Sequence, residues 1–466
     1  MTRTEQELSL SDAQLAELYA DPLLSPRDPL RTPKGMGDLL PPEAEARRAL
    51  TRVVQRSFEL WGYDLLVTPL FEHAEVVERG TDALDPRDLL RFVEPESGEV
   101  AVLRPDITPQ VARVIATRMA KHPPPWRLCY EGRVIRRRRG RARSHQQLTQ
   151  AGFECVGLHG PESDIETILL ANAACRAAGL PNVRIELSHV TIAQSLLDRL
   201  PELLRVPVAE MLARKDGAAL QRLIGEARLP NELGERLCSL VEHYGELDVL
   251  RSAAKGLRWP AATSALRNLS EIIERLETAG LGDRLGLDLS DARGSSYYTG
   301  MSFSLLAEGP GEPIGAGGRY DRLLGRYGMD QPATGFAFDL ENLQWALRHA
   351  GNAHHIGQPG LRLAAAGGDG AAQRLAPWVE ALRTQDVVVA VLPELSERAA
   401  CLAFARAWRY DAVLLPGGPG KLRDASRDGD KGARLVRVSD GSERSVSRGE
   451  LAGIGALEQW AQARRD

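Results

Sequence analysis

The stretch Leu103-Arg-Pro-Asp-Ile-Thr-Pro-Gln-Val-Ala-Arg113 sets the reading of the chain. An apolar strand, Glu99 to Leu103, ends at Arg104-Pro105, and Asp106 or Thr108 then stands where a helix N-cap belongs. Three further segments follow. Gly152-Phe-Glu-Cys-Val-Gly157 reads as a strand, and Gln150 and Glu154, four residues apart, share one of its faces because strand side chains alternate. Ala292-Arg-Gly-Ser-Ser-Tyr-Tyr-Thr-Gly-Met-Ser-Phe303 is a glycine-containing turn whose two tyrosines enter a strand. Ile314-Gly-Ala-Gly-Gly-Arg-Tyr-Asp-Arg-Leu-Leu324 and Pro332-Ala-Thr-Gly-Phe-Ala-Phe-Asp-Leu-Glu-Asn-Leu343 complete the set.

Outward from these segments, apolar positions between Pro42 and Trp61 recur at helical spacing (Ala46, Leu50, Val53, Val54, Phe58, Trp61) and predict an amphipathic helix. Tyr63 to Leu70, Trp126 to Tyr130, Ala151 to Val156, Val183 to Leu187 and Ser302 to Leu306 predict strands. Ile165 to Ala178 and Leu340 to Ala350 predict helices. From about 190 to 280 the chain is almost wholly helix-forming, with breaks at Pro201, Pro230 and Pro260, which predicts a helical insertion in a mixed domain. Past Asn352, strands at Leu361 to Ala365, Val387 to Leu392, Ala412 to Leu415 and Leu435 to Val438 alternate with helices, as in a small α/β domain. The expected organisation is an extension over 1–31, a core over 32–350 and the small domain over 358–466. Gly417-Gly-Pro-Gly-Lys421 lacks the spacing of a phosphate loop and reads as a turn.

Hydrophobic residues make up 43% of the 466 and charged residues 26%, a soluble globular balance with no apolar run long enough to span a bilayer. Met1 to Leu10 carries acids and no apolar core of a secretion signal, so a cytoplasmic location is expected. Cys129, Cys155, Cys175, Cys238 and Cys401 are odd in number and far apart, which fits neither a disulfide framework nor a zinc site. No metal or other cofactor is expected. A net charge of -4 gives no global attraction for nucleic acid, so RNA binding would rest on the basic run Arg133 to Arg143. No aromatic residue interleaves those arginines to stack on bases, and a solvated loop or a dock for an acidic partner is the preferred reading.

Gly35-Met-Gly-Asp-Leu-Leu-Pro41, Thr68-Pro-Leu-Phe-Glu72, Tyr297-Tyr-Thr-Gly300 and Gly317-Gly-Arg-Tyr-Asp321 resemble the catalytic core of histidyl-tRNA synthetase, over roughly residues 32 to 350. The resemblance implies an α+β fold of the class II aminoacyl-tRNA synthetase kind: a six-stranded, mostly antiparallel sheet flanked by helices, dimerising through the segment around Pro69. Within that family the Leu103 to Arg113 run is similar to the regulatory paralogue, the regulatory subunit of ATP phosphoribosyltransferase.

Departures from the synthetase pattern point the same way. Where synthetases hold ATP with an arginine of their third motif, this chain has Asn342, and an amide offers neither the charge nor the planar stacking surface of a guanidinium. Asp339 replaces a glycine beside the nucleotide and would oppose phosphate oxygens. Arg136 matches a phosphate-binding arginine, but Arg138 stands where an adenine-reading glutamate is expected. The amino-acid pocket is retained by the same comparison: Asp106, Gln150 and Glu154 match the positions that hold the ammonium and neighbouring polar groups, and Arg293, Tyr297 and Tyr298 match the histidine-specific loop. That loop carries Ser295-Ser296 where the family has Leu-Asp.

The resemblance therefore implies a regulatory subunit with no catalytic residue. It would bind histidine and a short-form catalytic ATP phosphoribosyltransferase subunit, as a core homodimer within a hetero-oligomer, in the first step of histidine biosynthesis. Two alternatives stay open: an active histidine-tRNA ligase using ATP and Mg²⁺, and a stand-alone histidine or tRNA sensor.

Overall fold

Pro41 and Pro42 open a helix, Pro41–Leu60, where a missing N–H costs nothing because first-turn donors have no intrahelical acceptor. The helix stops at Trp61 and Gly62; Gly62 takes φ 82° and donates its N–H to Glu59 O at 2.9 Å. In this computed structural model the described residues are 32–80, 89–136, 146–291, 297–352, 360–417, 432–447, 457 and 459–461. They fall in two units, Thr32–Gly357 and one that holds Gln358–Asp466.

The larger unit contains β1 (Asp64–Leu65), β2 (Phe71–His73), β3 (Arg91–Val93), β4 (Val100–Leu103), β5 (Trp126–Ile135), β6 (Gln147–Val156), β7 (Arg184–His189), β8 (Tyr244–Gly245), β9 (Leu285–Asp288), β10 (Met301–Leu306), β11 (Gly315–Arg319) and β12 (Ala333–Asp339). Nine of these form one sheet in the order β1-β5-β6-β12-β11-β10-β7-β9-β8, and β2-β4-β3 form a second. The large sheet is antiparallel except at β1/β5 and β7/β9. The expected six strands are thus nine. The two-residue strands β1 and β8 and the parallel strand β9 extend both edges, and elements this short leave no periodicity to read. The strand expected over Tyr63 to Leu70 also shrinks to Asp64–Leu65, because Pro69 has no ladder N–H and the chain turns away to begin β2.

The two faces of the sheet differ in chemistry. On one face Phe153, Phe303, Phe336 and Phe338 pack against Phe58 and Tyr63, with ring centroids 4.6 to 6.4 Å apart. Those rings share a core with Ile168, Leu170 and Cys175 of the helix Pro161–Ala177. Each fully buried aromatic contributes about 1.5–3 kcal/mol, so this face is a principal source of the fold's stability. On the other face, register sets Glu154 beside Gly335, Gly335 beside Gly318, Gly318 beside Ser302 and Ser302 beside Ser188. That row has polar ends and a floor of glycine.

Between β7 and β9 lie the helices Val190–Leu197, Glu202–Arg214, Gly217–Glu226, Asn231–Leu240, Asp248–Gly256 and Pro260–Thr278. Pro201 and Pro230 occupy N-cap positions and Pro260 the first turn, so the prolines start helices rather than interrupt them. Val208, Leu212, Leu220, Leu237, Leu269 and Ile272 join the insertion to the main core. No helix among the described residues is long and apolar enough to cross a membrane.

The smaller unit holds β13 (Arg362–Ala366), β14 (Val388–Leu392), β15 (Ala412–Pro416), β16 (Ala433–Arg437) and β17 (Glu443–Val446) in the order β14-β13-β15-β16-β17. The helix Ala371–Arg383 packs on Leu363 and Ala365, while Arg398–Ala407 packs on Ala364 and Ala366. Alternating strand residues thus give each helix its own face. Residues 1–31, and 418–421 of the Gly417 to Lys421 turn, lie outside the described residues.

Candidate functional site

Arg104 frames the site. Its buried guanidinium donates to Thr68 O at 3.0 Å, Thr68 Oγ1 at 2.8 Å and Arg133 O at 2.8 Å, tying three segments together. Gly132 makes room for it: an added Cβ would stand 1.9 Å from Arg104 Nη2. The chain after Arg104 is thereby held against β5 and β6, with Ile107 donating its N–H to Asp106 Oδ1 at 2.8 Å and to Gln150 Oε1 at 3.3 Å.

Glu154 is the chemical centre. Only 1% exposed, its carboxylate accepts from Thr108 Oγ1 at 2.6 Å, from Tyr130 Oη at 3.0 Å and from Tyr320 Oη. Burial raises its pKa from 4.5 to about 8 against those three donors, with the Asp106 charge adding to the rise. Asp106 Oδ2 accepts from Tyr297 Oη at 2.9 Å, and Arg136 stands 3.7 Å from Asp106 Oδ1. Arg136 Nε also donates to Pro105 O at 2.5 Å. Burial keeps Tyr130, Tyr297 and Tyr320 protonated and therefore available as donors. Tyr297 meets Tyr298 and Tyr320 edge-on at 5.3 and 5.5 Å, closing one side of the pocket.

Asp106, Gln150, Glu154, Tyr297 and Tyr298 therefore converge, and Arg136 reaches their edge. Arg293 and Arg138, with Ser295, Ser296 and most of the basic run, lie outside the described residues. Thr108, Tyr130 and Tyr320 belong to the pocket and escape sequence reasoning as site residues. Tyr320 sits inside the quoted Gly317 to Asp321 motif and Thr108 inside the opening stretch, so both were signalled; Tyr130 reads as an ordinary strand aromatic.

The other expected residues build the frame rather than the pocket. Asp339 ends β12 and caps the helix Leu340–His349, its Oδ1 accepting from Asn342 N at 3.0 Å. Buried Asn342 donates Nδ2 to Pro313 O at 2.9 Å. Glu341 accepts from Thr149 N at 2.8 Å and pairs with Arg47, which also donates to Gln344 Oε1 at 2.7 and 3.0 Å. Arg319 of the same motif as Tyr320 is buried against Asp164 at 2.8 Å and Asp321 at 3.1 Å, and orients the tyrosine's strand.

The pocket offers fixed carboxylates and phenolic donors, suited to a small ligand carrying an ammonium and ring N–H groups. No cluster of three or more metal-ligating side chains occurs among the described residues.

Residues 35–343 match the histidyl-tRNA synthetase family. The chain is 34% identical over 420 residues to a Syntrophotalea carbinolica protein named ATP phosphoribosyltransferase regulatory subunit, covering 89% of this chain and 95% of that one. It is 38% identical to a protein of the same name from Anaeromyxobacter dehalogenans, over 73% of this chain and 97% of that one. A crystal structure from Bacillus halodurans, described as an ATP phosphoribosyltransferase regulatory subunit/histidyl-tRNA synthetase, is similar with a TM-score of 0.70 and 25% identity, covering 82% of this chain and 97% of that one.

Proposed function

The chain belongs to the histidyl-tRNA synthetase-like family of ATP phosphoribosyltransferase regulatory subunits, and from that premise we propose that it binds histidine in the Glu154 pocket and passes that signal to a catalytic subunit. The observation that carries the proposal is the Glu154 carboxylate held by Thr108, Tyr130 and Tyr320 beside Asp106. Two acids with aimed donors favour a zwitterionic amino acid with an N–H-bearing side chain. The protein itself does no chemistry on this ligand: Asn342 and Asp339 bond to the backbone around Pro313 and to a helix start, and Asn342 offers an amide where a triphosphate calls for a guanidinium. The same residues argue against an active histidine-tRNA ligase.

The partner is a short-form ATP phosphoribosyltransferase, and the assembly works in the cytoplasm on the first step of histidine biosynthesis. At its core is a homodimer. Leu65, Val67, Leu70, Phe71, Phe92, Val93 and Val100 form an exposed apolar belt around Pro69, with Val67 78% exposed and Phe71 against Phe92 at 5.3 Å. A closed two-fold pair would cover that belt.

Calorimetric titration of histidine with and without the short-form catalytic subunit, alongside phosphoribosyl-transfer assays, tests the reading. Linkage requires that the partner change histidine affinity by the same factor by which histidine changes partner affinity. Unchanged histidine affinity and unchanged transfer activity at every histidine concentration would leave a stand-alone sensor as the better reading.

A further inference from the structure

The row of neighbours Glu154, Gly335, Gly318, Ser302 and Ser188 crosses four strand spacings, so Ser188 lies about 19 Å from Glu154 along the sheet at roughly 4.8 Å per strand. A histidine seated on Glu154 cannot reach it. The adjacent row sets Ala337 beside Ala316, Ala316 beside Ser304 and Ser304 beside Glu186. Four polar side chains therefore gather on the same face beyond the glycine floor: Glu186, Ser188, Ser302 and Ser304.

Their hydrogen bonding is incomplete. Ser188 is 4% exposed, and its Oγ has no partner. Ser302 is also buried, while Ser304 and Glu186 are half-buried. No side-chain hydrogen bond from the described residues reaches Ser302, Ser304 or Glu186. Buried polar groups in folded proteins are nearly always satisfied, so the open Ser188 hydroxyl beside these polar neighbours marks a place where something else binds.

The charge decides what. Burial and the nearby Asp288 raise the Glu186 pKa, against the opposing pull of Lys215 and Arg184. The nearest cation, Lys215, is committed to Asp288 and Ser290, and Arg184 to Glu246 at 2.9 Å. Lys215 and Arg184 are each matched by the acid they pair with, Asp288 and Glu246, so the Glu186 carboxylate is left over, which disfavours phosphates and carboxylates. One carboxylate and two buried hydroxyls, Glu186 with Ser188 and Ser302, match the three N–H groups of an ammonium.

We propose that Glu186, Ser188, Ser302 and Ser304 form a second ligand site on the sheet, for a primary ammonium group, separate from the Glu154 pocket. The ammonium donates to the Glu186 carboxylate and to the Ser188 and Ser302 hydroxyls, with Ser304 beside Glu186.

Ligand-observed NMR titration of the full chain with methylammonium, putrescine and glycine, against ethanol as a neutral control, tests this. Saturable binding of methylammonium is expected, weakened at least about ten-fold by Glu186→Gln, the loss appropriate to one charge-assisted hydrogen bond. Putrescine is expected to bind and glycine, which carries a carboxylate, is not; glycine binding that Glu186→Gln weakens would overturn the charge argument. Ser188→Ala removes an open buried hydroxyl without disturbing the fold, and should weaken methylammonium while leaving the melting temperature unchanged or raised. Glu154→Gln should leave methylammonium binding intact, which separates this site from the pocket proposed for histidine. Absence of saturable binding by all three amines, binding that survives Glu186→Gln and Ser188→Ala unchanged, or its loss in Glu154→Gln would overturn the proposal.

Discussion

The backbone of Gly335 lies directly under the carboxylate of Glu154: a Cβ built there would stand 1.6 Å from Oε2. The acid leans across β12 through the space that a side chain would fill, and Thr108, Tyr130 and Tyr320 fix it there. Gly335→Ala should therefore displace Glu154 and lower histidine affinity about ten-fold or more, as loss of one aimed carboxylate bond does. Calorimetry on the variant, with a thermal melt to confirm folding, checks it.

Removing the acids directly should cost more. Glu154→Ala and Asp106→Ala are each expected to weaken histidine binding by about 2 to 5 kcal/mol, the range for truncating one partner of a buried charged pair. Affinity unchanged in both variants would move the ligand elsewhere.

The protonation of Glu154 gives a signed pH dependence. Its carboxyl is raised by burial from 4.5 to about 8, so between those values the folded chain holds a proton that the unfolded chain has released. That contribution to ligand-free stability is complete below pH 4.5 and is lost as the pH rises toward about 8. A cationic or N–H-donating ligand prefers the ionised acid, so histidine affinity should climb over the upper part of the same window. Glu154→Gln should flatten both curves, measured by urea denaturation and by titration in matched buffers.

Activity as a synthetase should be absent. Histidine-dependent pyrophosphate exchange is expected at background, because Asn342 is bonded to Pro313 and Asp339 to the start of the following helix. Exchange clearly above background would refute the non-catalytic reading.

Much of this was legible in the sequence. Gln150 and Glu154 were placed on one face by strand alternation alone, and β6 confirms that they share it. The Pro41–Leu60 helix followed from apolar spacing that now faces Phe153 and Phe338. What stayed hidden was non-local. β11 is Gly-Ala-Gly-Gly-Arg, a sequence with no strand propensity, and it exists because Phe303 and Phe336 on its neighbours pack where its glycines leave room. Tyr130 and Tyr320 become site residues only when β5, β6 and the turn after β11 meet around one carboxylate. Asp339 read as an obstacle to phosphate, and in three dimensions it is a helix cap.

The buried pair Arg319–Asp164 makes a separate expectation. Asp164→Ala removes the more buried of the two carboxylates on the Arg319 guanidinium and leaves only Asp321, so it should cost about 3 kcal/mol, the lower end of the range for breaking a buried pair. Urea denaturation gives the loss, and histidine affinity measured well below the transition should fall much less, since Asp164 touches no pocket residue directly.

The large sheet keeps its phenylalanines on one side, and Glu154, Glu186, Ser188, Ser302 and Ser304 on the other. Random substitution along a lineage therefore meets two independent filters. Changes on the aromatic side are screened by whether the chain folds at all. Changes at half-buried Glu186 or at Ser188, whose hydroxyl bonds to nothing, are expected to touch the melting behaviour far less and to act on which small molecule is held. A scaffold divided in this way can give up one chemistry and acquire another by steps that are each viable, so a shared ancestry between chains that charge tRNA and chains that sense a metabolite requires no unfolded intermediate.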